Sequence, residues 1–248
     1  RRNITYASII QAFQQLVKII LGESKKKISY WKDELLEALG PNGQVIIDVI
    51  PEVEYVIGPQ PAVPVLGAVE NRNRFNRVFL NFSQVFAKKS HPMVIFLDDL
   101  QWADHATFHL IELMLTDTDC EYLYMIGAYR DNEVDDSHPL IKTLKDIQAK
   151  RLVQVLSLNP LELENTISLI SDSFENSSEK VKALAAVIQG KTRGNPFFIK
   201  MFLKNLYQEK LLQFQPAEGL WQWDAEKIGE MGITDNVVDL MVRQIKKL

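Results

Sequence analysis

The chain has 248 residues, 46% of them hydrophobic and 24% charged, the balance of an ordinary globular protein. Its formal net charge of −4 offers no global basic field for nucleic acid or acidic lipid, and its single cysteine, Cys120, excludes an internal disulfide framework. No apolar run nears the roughly 20 residues that span a bilayer, no signal peptide is visible at the start, and the lone cysteine fits a reducing, cytoplasmic compartment.

Tyr6, Ile9, Ile10, Phe13, Leu16, Val17 and Ile20 recur at helical spacing and predict a first helix. Asn3 or Thr5 is expected to cap its start and Gly22 to end it. A second helix is expected over Tyr30–Leu39 and a short one over Gln44–Ile50. Residues 51–67 hold Pro51, Pro59, Pro61 and Pro64, which predicts a loop, and its valines predict that it packs down. Phe75, Val78, Phe79, Phe82 and Phe86 form the next helical stripe. Lys88, Lys89 and His91 then mark a turn.

Met93–Leu97 is a short apolar run, the pattern of a strand buried on both faces of a parallel sheet with helices on each side. Asp98 and Asp99 follow it at once, at the strand's carboxyl edge, where α/β proteins bind ligands. The same acids would also serve to cap the next structure. Asp104 is placed to cap a helix over Ala106–Leu115. Glu121–Ala128 reads as a second buried strand and leads into Arg130. Ser137 and Pro139 read as the cap and first turn of a helix to Ala149, and Leu152–Leu156 as a third strand. After Pro160 the pattern is helical: Glu162–Ser173, Ser178–Gln189 and Pro196–Gln208, with Asn195 as the last one's cap. Leu211–Phe214 and Gly219–Trp223 predict a β-hairpin, and Thr234 or Asp235 starts a final helix. His105 and His109 share a helix face at a spacing metals use, but no third ligand accompanies them.

Four pieces stand in one order: Val94-Ile-Phe-Leu-Asp-Asp-Leu-Gln-Trp-Ala-Asp104, Gly127-Ala-Tyr-Arg-Asp131, Leu158-Asn-Pro-Leu161 and Thr192-Arg-Gly-Asn-Pro-Phe-Phe198. Together they resemble the STAND branch of AAA-type P-loop ATPases. More closely, the chain is similar to the ATPase segment of large bacterial multi-sensor signalling proteins that join a serine/threonine kinase-like domain, this ATPase, a GAF domain and often a histidine kinase. The resemblance implies ATP and Mg²⁺ as cofactors. It implies that Asp98 orients the metal, that Asp99 polarises the attacking water, that Arg130 senses the γ-phosphate and that Pro196, preceded by Asn195, packs on adenine. It assigns no chemistry to Gln101, Trp102 or Asp104. Many relatives have Glu where Asp99 stands, so fast hydrolysis is not implied.

The chain holds no complete G-x-x-x-x-G-K-[ST] phosphate loop. The resemblance implies that this loop lies upstream of Arg1, and that the chain is a piece of something longer which alone binds ATP weakly. The fold expected is therefore α/β: a parallel P-loop NTPase-type sheet lacking its first strand over residues 1–157, a helical lid over 158–210, and a hairpin and helix over 211–248. The function expected is a Mg·ATP-dependent switch, with ATP between sheet and lid. Its partners would be ATP or ADP and the other domains of the parent protein, with an oligomer open and no direct contact with nucleic acid or membrane. Two alternatives stay open, a non-catalytic relay between kinase and sensor domains and the ATPase part of a transcription regulator.

Overall fold

A computed structural model describes residues 5–174 and 179–230. The chain divides into two compact units, residues 1–154 and 155–248.

In the first unit, helix α1 (Ala7–Leu21) buries Ile9, Phe13, Val17 and Ile20, one stripe at intervals of four, four and three. Gly22 ends it as expected. Its start is not capped by Thr5. The cap position is Tyr6, in left-handed backbone with φ 64° and no side-chain cap bond; Asn3 lies outside the described residues. Tyr6 instead stacks on Phe75 and its hydroxyl donates to Asn76. Helix α2 runs Lys25–Leu39, so it begins a turn or more ahead of Tyr30. Helix α3 is Gly43–Ile47. The stretch expected as a loop from 51 opens with a 3₁₀ turn, Pro51–Val53, and a short helix α4, Glu54–Ile57. Pro51 sits in the first turn, where its missing N–H removes no bond. Val53, Val56 and Ile57 are buried.

Helix α5 (Ala68–Phe86) carries the aromatic stripe into the centre. Phe13 of α1 meets Phe79, Phe82 and Phe86 at ring-centroid distances of 5.1, 5.4 and 6.2 Å. These rings are almost wholly buried, so they supply much of the unit's apolar stabilisation.

Strands β1 (Met93–Leu97) and β2 (Leu123–Gly127) pair in parallel, in register Met93 to Leu123 through Leu97 to Gly127. A parallel neighbour needs a crossover, which helix α6 (His105–Thr116) supplies. Asp104 caps α6 by accepting the Thr107 N–H at 2.7 Å. Helix α7 runs Pro139–Gln148. Its cap is His138, not Ser137: Nδ1 of the ring accepts the Leu140 N–H, while the Ser137 hydroxyl is taken by Asp135.

Two expectations fail at the sheet. The strands are not buried on both faces. Ile95 and Leu97 face the core, but the register puts Val94 beside Tyr124 and Phe96 beside Ile126, and these four are 43–64% exposed. Among the described residues nothing covers that face. The strand expected over Leu152–Leu156 does not form, and Leu152 and Leu156 are 90% and 82% exposed. A short apolar run makes a strand only beside a pairing edge, because β-propensity reports fit to neighbours rather than a backbone preference.

The second unit is helical with a hairpin. Helices α8 (Leu163–Phe174), α9 (Glu179–Thr192) and α10 (Pro196–Gln208) close on Ile170, Leu184, Ile188, Ile199 and Phe202. Strands β3 (Leu212–Gln215) and β4 (Leu220–Trp223) pair antiparallel, as expected, and Trp221 stacks on Phe174. A short helix α11 (Ala225–Glu230) follows; the helix expected from Thr234 or Asp235 lies outside the described residues. Asn195 caps α10 by accepting the Phe197 and Phe198 N–H groups, with Pro196 in the first turn. Just before it, Gly194 has φ 74°, and a Cβ there would lie 2.0 Å from the Leu161 carbonyl oxygen.

Gly194→Ala should therefore destabilise the second unit by about 1–3 kcal/mol, from strain alone, and Asn195→Ala by about 1 kcal/mol. Urea unfolding followed by tryptophan fluorescence, with Trp221 and Trp223 as reporters, checks both; a Gly194→Ala protein as stable as its parent contradicts the close approach. Cys120 offers a second test. Burial, and then the nearby Asp117, push its thiol up from 9.0 to about 11. The folded protein keeps a proton that the unfolded chain releases, so this contribution is present below pH 9 and is lost as pH rises towards 11. Iodoacetamide at about pH 8.5, near the ordinary thiol value, should alkylate Cys120 much more slowly in buffer than in urea.

Candidate functional site

The two parallel strands deliver their exits side by side. The ladder continues past their ends: the Ala128 N–H donates to Leu97 at 2.8 Å, and the Leu100 N–H donates to Ala128 at 3.0 Å. Gly127 lets Leu100 approach, since a Cβ there would stand 2.6 Å from the Leu100 Cδ1. Leu100 is itself buried and anchors the turn Leu100–Trp102 to the core. The chain between the strand and this anchor is Asp98-Asp99, so both acids are held at the surface of the sheet's carboxyl edge.

Asp98 is exposed, and its Oδ1 accepts the Asp99 N–H at 2.9 Å. Among the described residues its other oxygen accepts no hydrogen bond. Asp99 is half-buried and sits in left-handed backbone, φ 54°, a conformation that Asp tolerates better than most residues. Its Oδ1 accepts from the Gln101 amide at 2.9 Å and lies 3.7 Å from Nε of Arg130.

Arg130 follows β2 and faces the acids. One guanidinium nitrogen donates to Glu133 Oε1 at 3.1 Å, and the group lies 5.5 Å from the centre of the Trp102 ring. The Trp102 indole N–H donates to the other Glu133 oxygen at 3.1 Å. The Arg130 and Asp99 side chains are 58% and 41% exposed. Water screens such a pair, so it contributes only about 0–1 kcal/mol.

The structure thus brings Asp98, Asp99 and Arg130 together. It adds Glu133, which sequence reasoning passed over, and Gln101, to which that reasoning assigned no chemistry. Glu133 stands three residues from Arg130 within the 3₁₀ turn Asp131–Glu133, a spacing that could have pointed to the pair. Asn195 and Pro196 lie in the second unit, where both are exposed at the start of α10 and the Asn195 Oδ1 is occupied by the cap. The tripeptide Gly190-Lys-Thr192 matches the end of a phosphate-loop signature, but it lies in the last turn of α9, where the Thr192 hydroxyl donates to the Ile188 carbonyl. It cannot present successive free N–H groups to a phosphate. The donor set at the strand exits, an exposed carboxylate with an unused oxygen beside a second acid and an arginine, fits a hydrated Mg²⁺ and the anion it accompanies. Magnesium keeps several waters, so one carboxylate at a strand end suffices for it.

A family model for the AAA ATPase domain matches residues 1–126, just over half of the chain. Hybrid signal transduction histidine kinase G of Dictyostelium discoideum is 30% identical over an alignment of 306 positions that covers 98% of the chain. The chain spans about 9% of the length of that relative. No solved structure matches. The family match takes in the strand that delivers Asp98 and Asp99 and ends inside the strand paired with it, and the chain belongs to the AAA ATPase domain family.

Proposed function

We propose that this segment serves a longer signalling protein as a Mg·ATP-dependent conformational switch with slow or absent hydrolysis. The observation that carries the reading is Arg130, a cation at a sheet's carboxyl edge held by groups it can exchange at little cost. A bound Mg·ATP would supply there a divalent charge and a terminal phosphate that ADP lacks. Asp98 would hold the metal through water with its unused oxygen. Asp99 would orient the attacking water; being one methylene shorter than Glu, it gives slow turnover. Arg130 would leave Asp99 and Glu133 for the phosphate, a better partner for a guanidinium than a screened carboxylate. Asn195 and Pro196 are the residues proposed for the adenine. The switch then rests on different affinities of the nucleotide for two states of the protein.

The name of the Dictyostelium relative, a hybrid signal transduction histidine kinase, supports a place among kinase and sensor domains. Those domains, with ATP and ADP, are the partners proposed. The 248 residues carry no complete phosphate loop, so this polypeptide alone should bind Mg·ATP only weakly.

Equilibrium titrations test the reading. The 248-residue chain should show no micromolar affinity for Mg·ATP. In the intact parent protein, Arg130→Ala should weaken ATP by about tenfold or more, the worth of a hydrogen bond to a charged group, and leave ADP nearly unchanged. Asp98→Asn should raise the Mg²⁺ concentration needed for binding. Equal losses for ATP and ADP in Arg130→Ala would remove the arginine from the sensing role.

A further inference from the structure

Gln101 and Trp102 follow the acid pair closely, and the nucleotide chemistry proposed above gives them no part. Gln101 is 6% exposed, one of few buried polar residues in the first unit. Its amide spans the two strand exits. Nε2 donates to Asp99 Oδ1 at 2.9 Å, and Oε1 accepts the backbone N–H of Arg130 at 3.2 Å. These partners leave the amide one orientation. An ionised carboxylate can only accept, and a backbone N–H can only donate. A flipped amide would set oxygen against oxygen and nitrogen against nitrogen. The Gln101 carbonyl in turn lies 3.1 Å from Nε2 of His138, and since Nδ1 of that ring accepts from Leu140, Nε2 is the nitrogen that donates. The Asp99 turn is thereby tied to the start of α7. Trp102 acts on the other part of the same arginine, with its ring near the guanidinium and its indole N–H on Glu133.

We infer that Gln101 is the positioning residue of this site: one buried amide sets the Asp99 carboxylate and the Arg130 main chain in mutual register, while Trp102 and Glu133 hold the Arg130 side chain in its nucleotide-free place. The role at the nucleotide rests on the reading of Asp99 and Arg130 given above; the positioning itself does not. Only a side chain with a donor and an acceptor on one planar group, at glutamine's reach, satisfies both neighbours. Leu fills similar space and leaves the carboxylate and the N–H unpartnered. Glu keeps the bond from Arg130 and faces Asp99 with a like charge.

Two-dimensional NMR of the ¹⁵N-labelled 248-residue chain, without nucleotide, reads the positioning through the Arg130 amide and the Trp102 indole N–H, the latter assigned by its loss in Trp102→Phe. Gln101→Leu and Gln101→Glu should both move the two signals. Gln101→Glu combined with Asp99→Asn should return the Arg130 amide towards its original position. The carboxamide that Asp99→Asn introduces can donate to the new carboxylate, and the Arg130 N–H keeps its acceptor. In the intact parent protein, Gln101→Leu should cut the preference for ATP over ADP by about tenfold, the worth of one hydrogen bond to a charged group, without loss of the folded state. An Arg130 amide unmoved by Gln101→Leu overturns the inference. So does a moved amide with an unchanged nucleotide preference. If Gln101→Leu does not fold, Gln101→Glu and its paired variant make the same decision. A parent protein with no ATP preference at all refutes the proposed function instead, and the two NMR signals still decide the positioning.

Discussion

Leu97 stands opposite Gly127 in a parallel ladder, and that register decides where the two acids and the arginine that follow the strands are placed. Parallel strands leave a sheet at the same edge, so the residues after each exit emerge together. Two residues beyond Leu97 is Asp99; three beyond Gly127 is Arg130. A slip of one residue would turn Ile95 and Leu97 out of the core, which the burial of both resists. The same burial therefore keeps the acid and the arginine opposed. Gly127 favours the contact, because a side chain there would have to displace the end of Leu100. Stability and site geometry thus depend on one set of contacts.

Those contacts lean on the helices. The aromatic cluster of α1 and α5 supplies a rigid, close-packed body, and α1 also packs on β1. The second unit reaches its own stability differently. Its helices meet on Ile170, Leu184, Ile188, Ile199 and Phe202, and its tight point is backbone: Gly194 folds against Leu161, the Leu161 N–H donates to the Gly194 carbonyl at 2.8 Å, and Asn195 starts α10 at once.

Much of this was legible in the residues. Asp104 and Asn195-Pro196 were readable as helix starts because capping is local chemistry, decided within three residues. That Asp98 and Asp99 leave the end of a strand was readable because the five apolar residues Met93–Leu97 run straight into them. What escaped was set by distant neighbours. Leu152–Leu156 is a short, largely apolar, β-branched run like a strand, yet no pairing edge among the described residues makes it one. Val94 and Phe96 are as apolar as Ile95 and Leu97, and no local pattern says that their face stays open. His138 took the cap position from Ser137 because Asp135 had already engaged the serine, a competition between neighbours that composition does not weigh. The part played by Gln101, named in the sequence without any chemistry, escaped for the most general reason. Its partners lie two and twenty-nine residues away, and only the parallel register brings them to one amide.

The site joins a stiff part and a loose part, and the physics of each suits its place. Gln101 is shielded from water, where an unmade hydrogen bond costs about 1–3 kcal/mol, so the main chain at Asp99 and Arg130 has strong reason to stay put. The guanidinium is in the opposite condition. Its ion pairs with Asp99 and Glu133 are more than a third or nearly a third exposed on the acidic side, and its ring contact with Trp102 is open to solvent. Each such contact contributes about 1 kcal/mol or less. A competing anion need displace only these weak, screened contacts, while the backbone that aims the arginine is held by buried bonds. Movement can then be confined to one side chain, whose two resting partners are acids and are themselves released when it leaves.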